Sequence, residues 1–192
     1  MLFGLVGSEM CIRDSIDIDK NIANCLMTGL ITDTGRFQYS NTDNEVFEIA
    51  SKLMLSGAEL TSISDNIYGS IPMNAIKLQS EVLNRIELHE EEELVVSYVL
   101  QDDYLNYNIE SSETDFLIDS IRLVKESSVA LLLKEQQDKS FKGSLRSRNE
   151  LDVQQIASIF GGGGHKAASG FSTNLSMEEI KNKVKNAIKS QV

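Results

Sequence analysis

Between Ile159 and Gly170 the chain reads Ile-Phe-Gly-Gly-Gly-Gly-His-Lys-Ala-Ala-Ser-Gly, a set of residue types suited to holding a phosphate. Gly161 to Gly164 follow an apolar helical pattern; they permit positive φ and leave main-chain N–H groups bare. His165 and Lys166 come directly after and bring directed donors and charge to an anion held there. A plainer need would be met by the same residues, since glycine is the usual residue just past a helix end.

Upstream, Phe141-Lys142-Gly143-Ser144-Leu145-Arg146-Ser147-Arg148 alternates with a period of two. As a strand it sets Phe141, Gly143 and Leu145 on one face. Lys142, Ser144, Arg146 and Arg148 fall on the other, a basic and hydroxyl-bearing surface. Asp152 to Phe160 then reads as a short helix, with Asp152 as N-cap and Val153, Ile156, Ala157 and Phe160 on one stripe. Strand, helix and glycine loop are expected to converge on one pocket. The competing expectation is a solvated edge strand with scattered charges.

Ser144-Leu145-Arg146-Ser147, taken with Gly161–His165 and Ala168-Ser169-Gly170, resembles the DHHA1 substrate-binding domain of the DHH-family phosphoesterases. A second motif agrees in order. Thr28-Gly-Leu-Ile-Thr-Asp33-Thr-Gly-Arg-Phe-Gln-Tyr-Ser-Asn-Thr42 is similar to the last metal-site motif of the DHH domain, in the form typical of the oligoribonuclease and pAp phosphatase (nano-RNase) branch. The resemblance runs from about Ile16 to the C-terminus. It implies a metal-dependent hydrolase acting on short oligoribonucleotides in the 3′–5′ sense, or on 3′-phosphoadenosine 5′-phosphate. Asp33 is then a catalytic residue and a ligand of Mn²⁺ or Mg²⁺. Ser144, Arg146, Ser147, Gly162, Gly163, Gly164 and His165 bind substrate across an inter-domain cleft. Related alternatives are a cyclic-dinucleotide phosphodiesterase and a single-strand exonuclease; from another class comes a nucleotide-binding module without turnover.

Without the resemblance, Asp33 between Thr32 and Thr34-Gly35 is a hard oxygen ligand on a tight turn, or else the carboxylate of an Asx-turn. One carboxylate does not make a two-metal centre. The chain has two histidines, His89 and His165, so it contains no Asp-His-His triplet, and the earlier DHH motifs have no counterpart upstream of Asp33. The metal site is therefore expected to be incomplete, and these residues to bind ligand weakly without turnover. His89, beside Glu90–Glu93, is expected in a solvated surface turn. Met1–Ser15 fits nothing downstream and reads as a non-native leader on a fragment of a longer protein.

Composition narrows the partners. A hydrophobic content of 41% in 192 residues suits a globular chain, and no apolar run approaches the roughly 20 residues of a membrane span. Cys11 and Cys25 make no disulfide framework, which fits a reducing cytoplasm. The net charge of −11 opposes binding to long duplex nucleic acid, which needs many cationic contacts. A local group of Lys142, Arg146, Arg148, His165 and Lys166 can still hold one or two phosphates, because screening confines opposing fields to about 8–10 Å. Short RNA or a nucleotide bisphosphate is the expected partner, with no membrane; homodimerisation is left open.

The positioning elements read as an α/β chain. Asp19–Ile31 predicts a helix running into the Asp33 turn, Thr42-Asp43-Asn44-Glu45 a capping box for the next, and Glu59–Tyr68 a third. Pro72 suits a helix N1 position before Met73–Leu83. Strands are expected at Leu94–Leu100, Ser128–Leu133, Phe141–Arg148 and Ala167–Ser172, with helices at Thr114–Leu123 and after Ser176-Met-Glu-Glu179. The expected domains are a leader (1–15), a helical C-terminal part of a DHH domain (16–70), a linker helix (71–86) and a DHHA1 domain with a mixed sheet (87–192).

Overall fold

A computed structural model describes residues 18–191 with the exception of 40 and 149. The leader expected at Met1–Ser15 lies outside the described residues, as does Ser40 of the Asp33 motif. Two compact units divide between Ile71 and Pro72.

The described part of the first unit contains α1 (Lys20–Asp33), α2 (Asn44–Leu55) and α3 (Leu60–Tyr68). Asp19 caps α1 by accepting from the Ile22 N–H at 2.9 Å. Ala23, Met27 and Leu30 from α1 bury against Val46, Ile49 and Leu53 from α2, with Ile63 closing the cluster. The capping box expected at Thr42 is absent. Asp43 is the N-cap, because its short carboxylate reaches the Val46 N–H at 3.1 Å.

The second unit opens with α4 (Met73–Asn84), where Pro72 is the N-cap with extended ψ and not the first helical residue. Its centre is a six-stranded sheet of β1 (Glu87–His89), β2 (Leu94–Val99), β3 (Val129–Glu135), β4 (Phe141–Ser147), β5 (Gly163–His165) and β6 (Ala168–Thr173), ordered β1-β2-β3-β4-β6-β5. The β2–β3 pair is parallel and every other pair antiparallel, so the sheet is mixed, as the sequence led us to expect. Both faces of β2 and β3 are covered, which is why their sequences run nearly unbroken in apolar residues.

Between β2 and β3 the single helix expected at Thr114–Leu123 is instead a 3₁₀ turn (Ser111–Thr114) followed by α6 (Leu117–Ile121), and α5 (Gln101–Tyr107) precedes it unforeseen. The sequence of α5 has no apolar stripe. Asp103 holds it in place: its carboxylate accepts from the Leu100 N–H at 2.7 Å and from both Arg85 amino groups at 2.6 and 2.9 Å. Burial pushes the Asp103 carboxyl up, but those hydrogen bonds outweigh it and hold it below the usual range.

Helices divide the sheet's two faces unequally. Ala75, Leu78 and Val82 of α4 and Leu117, Ile118 and Ile121 of α6 cover Val95, Ala130 and Leu132 on one face. On the other face, α7 (Val153–Ser158) and α8 (Met177–Lys189) cover Leu131, Leu145 and Phe171. The α4–α6 layer shields β2 and β3, and the continuation of that face across β4, β6 and β5 keeps its residues at least partly exposed.

Candidate functional site

That open face carries the predicted binding residues. Alternation along β4 is as expected, with Phe141, Gly143 and Leu145 buried and Lys142, Ser144 and Arg146 turned outward. The strand is not at the edge, however. It is bonded on both sides, to β3 and to β6, and β5 is the edge. Register then aligns two rows across the sheet. Arg146 lies opposite Ala168, which lies opposite His165; Ser144 lies opposite Gly170, which lies opposite Gly163. Directly opposed residues in antiparallel strands point to the same side. Arg146 and His165 therefore stand two strand spacings apart, about 10 Å, on either side of a floor made of Ala168, Gly170 and Gly163.

The four glycines have different jobs. Gly161 is at φ +75°, and the Gly162 N–H to Ala157 carbonyl and Gly161 N–H to Ser158 carbonyl bonds, both 3.0 Å, close α7 as a Schellman motif. Here the plain helix-end reading applies. A Cβ on Gly162 would lie 2.3 Å from the Gly170 carbonyl oxygen, and Gly164 takes φ +146° with a Cβ position 2.6 Å from the Ala168 carbonyl. Gly163 differs from these. Its φ is not in the left-handed region and a Cβ there meets nothing within 4 Å. The stretch Gly163–His165 is a strand and not the loop expected, because β6 supplies it with a ladder partner.

Ser169, which the sequence reading passed over, bonds its hydroxyl to the His165 carbonyl at 2.8 Å and fixes the β5–β6 turn. The small-residue run Ala168-Ser169-Gly170 was the available signal. The expected group of five cations is reduced. Lys166 pairs with Glu150, and Arg148 donates to the Val124 carbonyl at 3.2 Å. Arg146 spends one donor on the Leu145 carbonyl at 3.0 Å and has no ion pair among the described residues. Ser147 lies opposite Val129 and so falls with Gly143 and Leu145 on the other face of β4, away from Arg146 and Ser144, because neighbouring strand residues face opposite ways; its N–H is bonded to the Ala167 carbonyl at 2.9 Å.

Asp33 belongs to the first unit. It is the last residue of α1 and not part of the turn itself, and its carbonyl accepts from Asn41 Nδ2 at 3.1 Å. The turn that follows runs through Gly35, Arg36 and Phe37, all with φ between +55° and +63°. Two of these are not glycine, so the conformation has to be imposed by its surroundings. Thr34, fully buried, imposes much of it by donating to the Leu30 carbonyl at 2.6 Å and accepting the Phe37 N–H at 3.2 Å. Arg36 lies over the Tyr68 ring at 4.4 Å, and Phe37 stacks on Phe47. Among the described residues no three His, Cys, Asp or Glu side chains gather where a metal could bind, so Asp33 offers one ligand and the donor set does not fit a resident ion.

His89 is not in a solvated turn. It ends β1 opposite Leu94, with Nε2 buried, lacking a hydrogen-bond partner, and 3.7 Å from a Glu87 carboxylate oxygen. Burial first, then Lys185, lowers its pKa, and Glu87 acts in the opposite sense. The fold thus favours the neutral imidazole, whereas the unfolded chain takes up the proton as pH drops below about 6.5. Stability should begin to fall as the pH drops through about 6.5, where the unfolded imidazole takes up its proton, and level off once the folded imidazole is also protonated. In urea denaturation, His89→Gln is expected to flatten this part of the pH profile relative to wild type. Identical profiles would remove His89 from the acid sensitivity.

Comparison with known proteins gives the following. A family model described as the DHHA1 domain matches residues 91–190. The bifunctional oligoribonuclease and PAP phosphatase NrnA of Thermus thermophilus is 30% identical over 187 residues, covering 94% of this chain and 56% of that protein. A probable NrnA of Streptococcus mutans is 26% identical over 95% of this chain and 58% of its own length. The chain spans little more than half the length of these relatives. An exopolyphosphatase-related protein from Bacteroides fragilis has the same fold, with a TM-score of 0.89 at 23% identity, covering 97% of this chain and 56% of that one. Among the described residues no helix is long and apolar enough to cross a membrane.

Proposed function

The chain belongs to the DHHA1 domain family, and from that premise we propose that its open sheet face grips the phosphates of short oligoribonucleotides or of 3′-phosphoadenosine 5′-phosphate for hydrolysis by the whole protein. The observation that carries this is the register Arg146–Ala168–His165, which sets a guanidinium and an imidazole on either side of a floor without bulky side chains. Arg146 supplies a planar fork of donors to one phosphate, Ser144 a hydroxyl, and Gly163 a strand edge that a ligand can approach closely. His165 holds the border of the face, Gly162 and Gly164 allow the close backbone approach that carries it there, and Ser147 lies on the opposite face. Gripping substrate away from the scissile bond orients that bond and favours short ligands.

Phosphoester hydrolysis by a relative-sized protein, its dependence on Mn²⁺ or Mg²⁺, and a cytoplasmic location belong to the same proposal. Any such ion needs ligands beyond Asp33, so the role assigned to the residues present is binding. Calorimetric titration of the chain with a 5′-phosphorylated adenylate dinucleotide is expected to show saturable binding at physiological salt. A duplex of about 20 base pairs should bind far more weakly, since an acidic protein lacks the cations it needs. Equal or tighter binding of the duplex, or no dinucleotide binding, would overturn the proposal.

A further inference from the structure

We propose that Lys142 and Ser172 form a second anion subsite on the same face, so that the face distinguishes ligands with two phosphates from ligands with one. This rests on the phosphate-gripping role of Arg146 and His165. Register again provides the geometry. Lys142 lies directly opposite Ser172 on β6 and directly opposite Lys134 on β3. Lys134 is 1% exposed, and its ammonium donates to Asp115 at 2.6 Å and to the Thr114 hydroxyl at 3.3 Å. Asp115 is therefore engaged from the neighbouring strand's lysine. Lys142 and Ser172 are both exposed, and Lys142 has no ion pair among the described residues.

Like charges directly opposite one another destabilise a strand pair. Asp115 offsets the charge of the buried Lys134, and no carboxylate on this row offsets that of Lys142. An anion arriving on the face would. Lys142 is four residues from Arg146 on one strand, about 13 Å between Cα atoms. The surface between them carries Ser144 and Gly170 and is free of bulky side chains. A ligand with one phosphate at the Arg146 end leaves Lys142 untouched. A short single strand with a second phosphate further along reaches it.

The test is titration of the full 192-residue chain with AMP and with 5′-phosphorylated adenylate dinucleotide at several salt concentrations. Lys142→Gln is compared with wild type, with Arg146→Ala, and with Lys183→Gln, an exposed α8 lysine, as control. Lys142→Gln should weaken the dinucleotide about threefold to tenfold and reduce the slope of log K against log salt by about 0.7, the value for one lost phosphate contact on a single strand. AMP binding should stay within about twofold, and the control should change neither ligand. If Lys142→Gln moves AMP and dinucleotide equally, or leaves the dinucleotide slope intact while Arg146→Ala abolishes binding, the second subsite alone is overturned. If wild type binds neither ligand, the gripping face falls with it.

Discussion

Arg146→Ala is expected to weaken binding of a 5′-phosphorylated dinucleotide by about 10- to 100-fold, the equivalent of roughly 1.5–3 kcal/mol for charge-assisted hydrogen bonds. Folding stability should change by no more than about 0.5 kcal/mol, as for surface positions without a structural partner. The separation follows from the side chain's local role. Among the described residues its side chain bonds to the carbonyl of the preceding residue, Leu145, and to no distant group. Arg146→Lys should fall between wild type and Ala, because a lysine keeps the charge and loses the planar fork. Calorimetric affinities alongside urea midpoints check both halves. An unchanged affinity in Arg146→Ala would mean that the face is not the binding surface.

The second large effect separates two adjacent glycines. Gly162→Ala is expected to cost about 1–3 kcal/mol of stability, because its Cβ would lie 2.3 Å from the Gly170 carbonyl and 2.6 Å from Phe171 Cβ. Backbone has to move to relieve it, and the β5–β6 pairing moves too. Gly163→Ala has open space and an ordinary backbone, so its stability should stay within about 0.5 kcal/mol of wild type. Its methyl group would nonetheless stand on the binding floor, and dinucleotide affinity should drop about tenfold, or about 1.4 kcal/mol. Thermal denaturation and titration on the same samples check the pair. A Gly163→Ala protein with wild-type affinity would place the ligand elsewhere.

Local chemistry was legible at most positions that a short rule governs, with the caps at Thr42 and Pro72 each misplaced by one residue. Asp19 and Asp152 cap their helices, Ser176 and Glu179 form a reciprocal capping box, and β4 alternates in burial as its residues alternate in polarity. The failures at α5, His89, Lys166 and Arg148 share a cause. Helix α5 has no periodic stripe and is held by Arg85 and Asp103 from 18 positions apart, a contact no window of sequence contains. His89 looks solvated beside its glutamates, but strand pairing with Leu94 buries its Nε2. Lys166 and Arg148 look like phosphate ligands, and tertiary neighbours engage both.

By itself the sequence determined the residue types available for phosphate binding, the alternation that sends Arg146 and Ser144 to one face, and the resemblance to the DHHA1 domain carried by Ser144–Ser147 and Gly161–His165. Only the tertiary structure decided which of them meet. Residues on neighbouring strands become neighbours through hydrogen-bond register, which depends on the turn after α7 and on the partner strand β6 rather than on the residues themselves. That register puts His165 across from Arg146, leaves Gly163 bare, and divides the glycine run into positions that the fold requires and one that it does not.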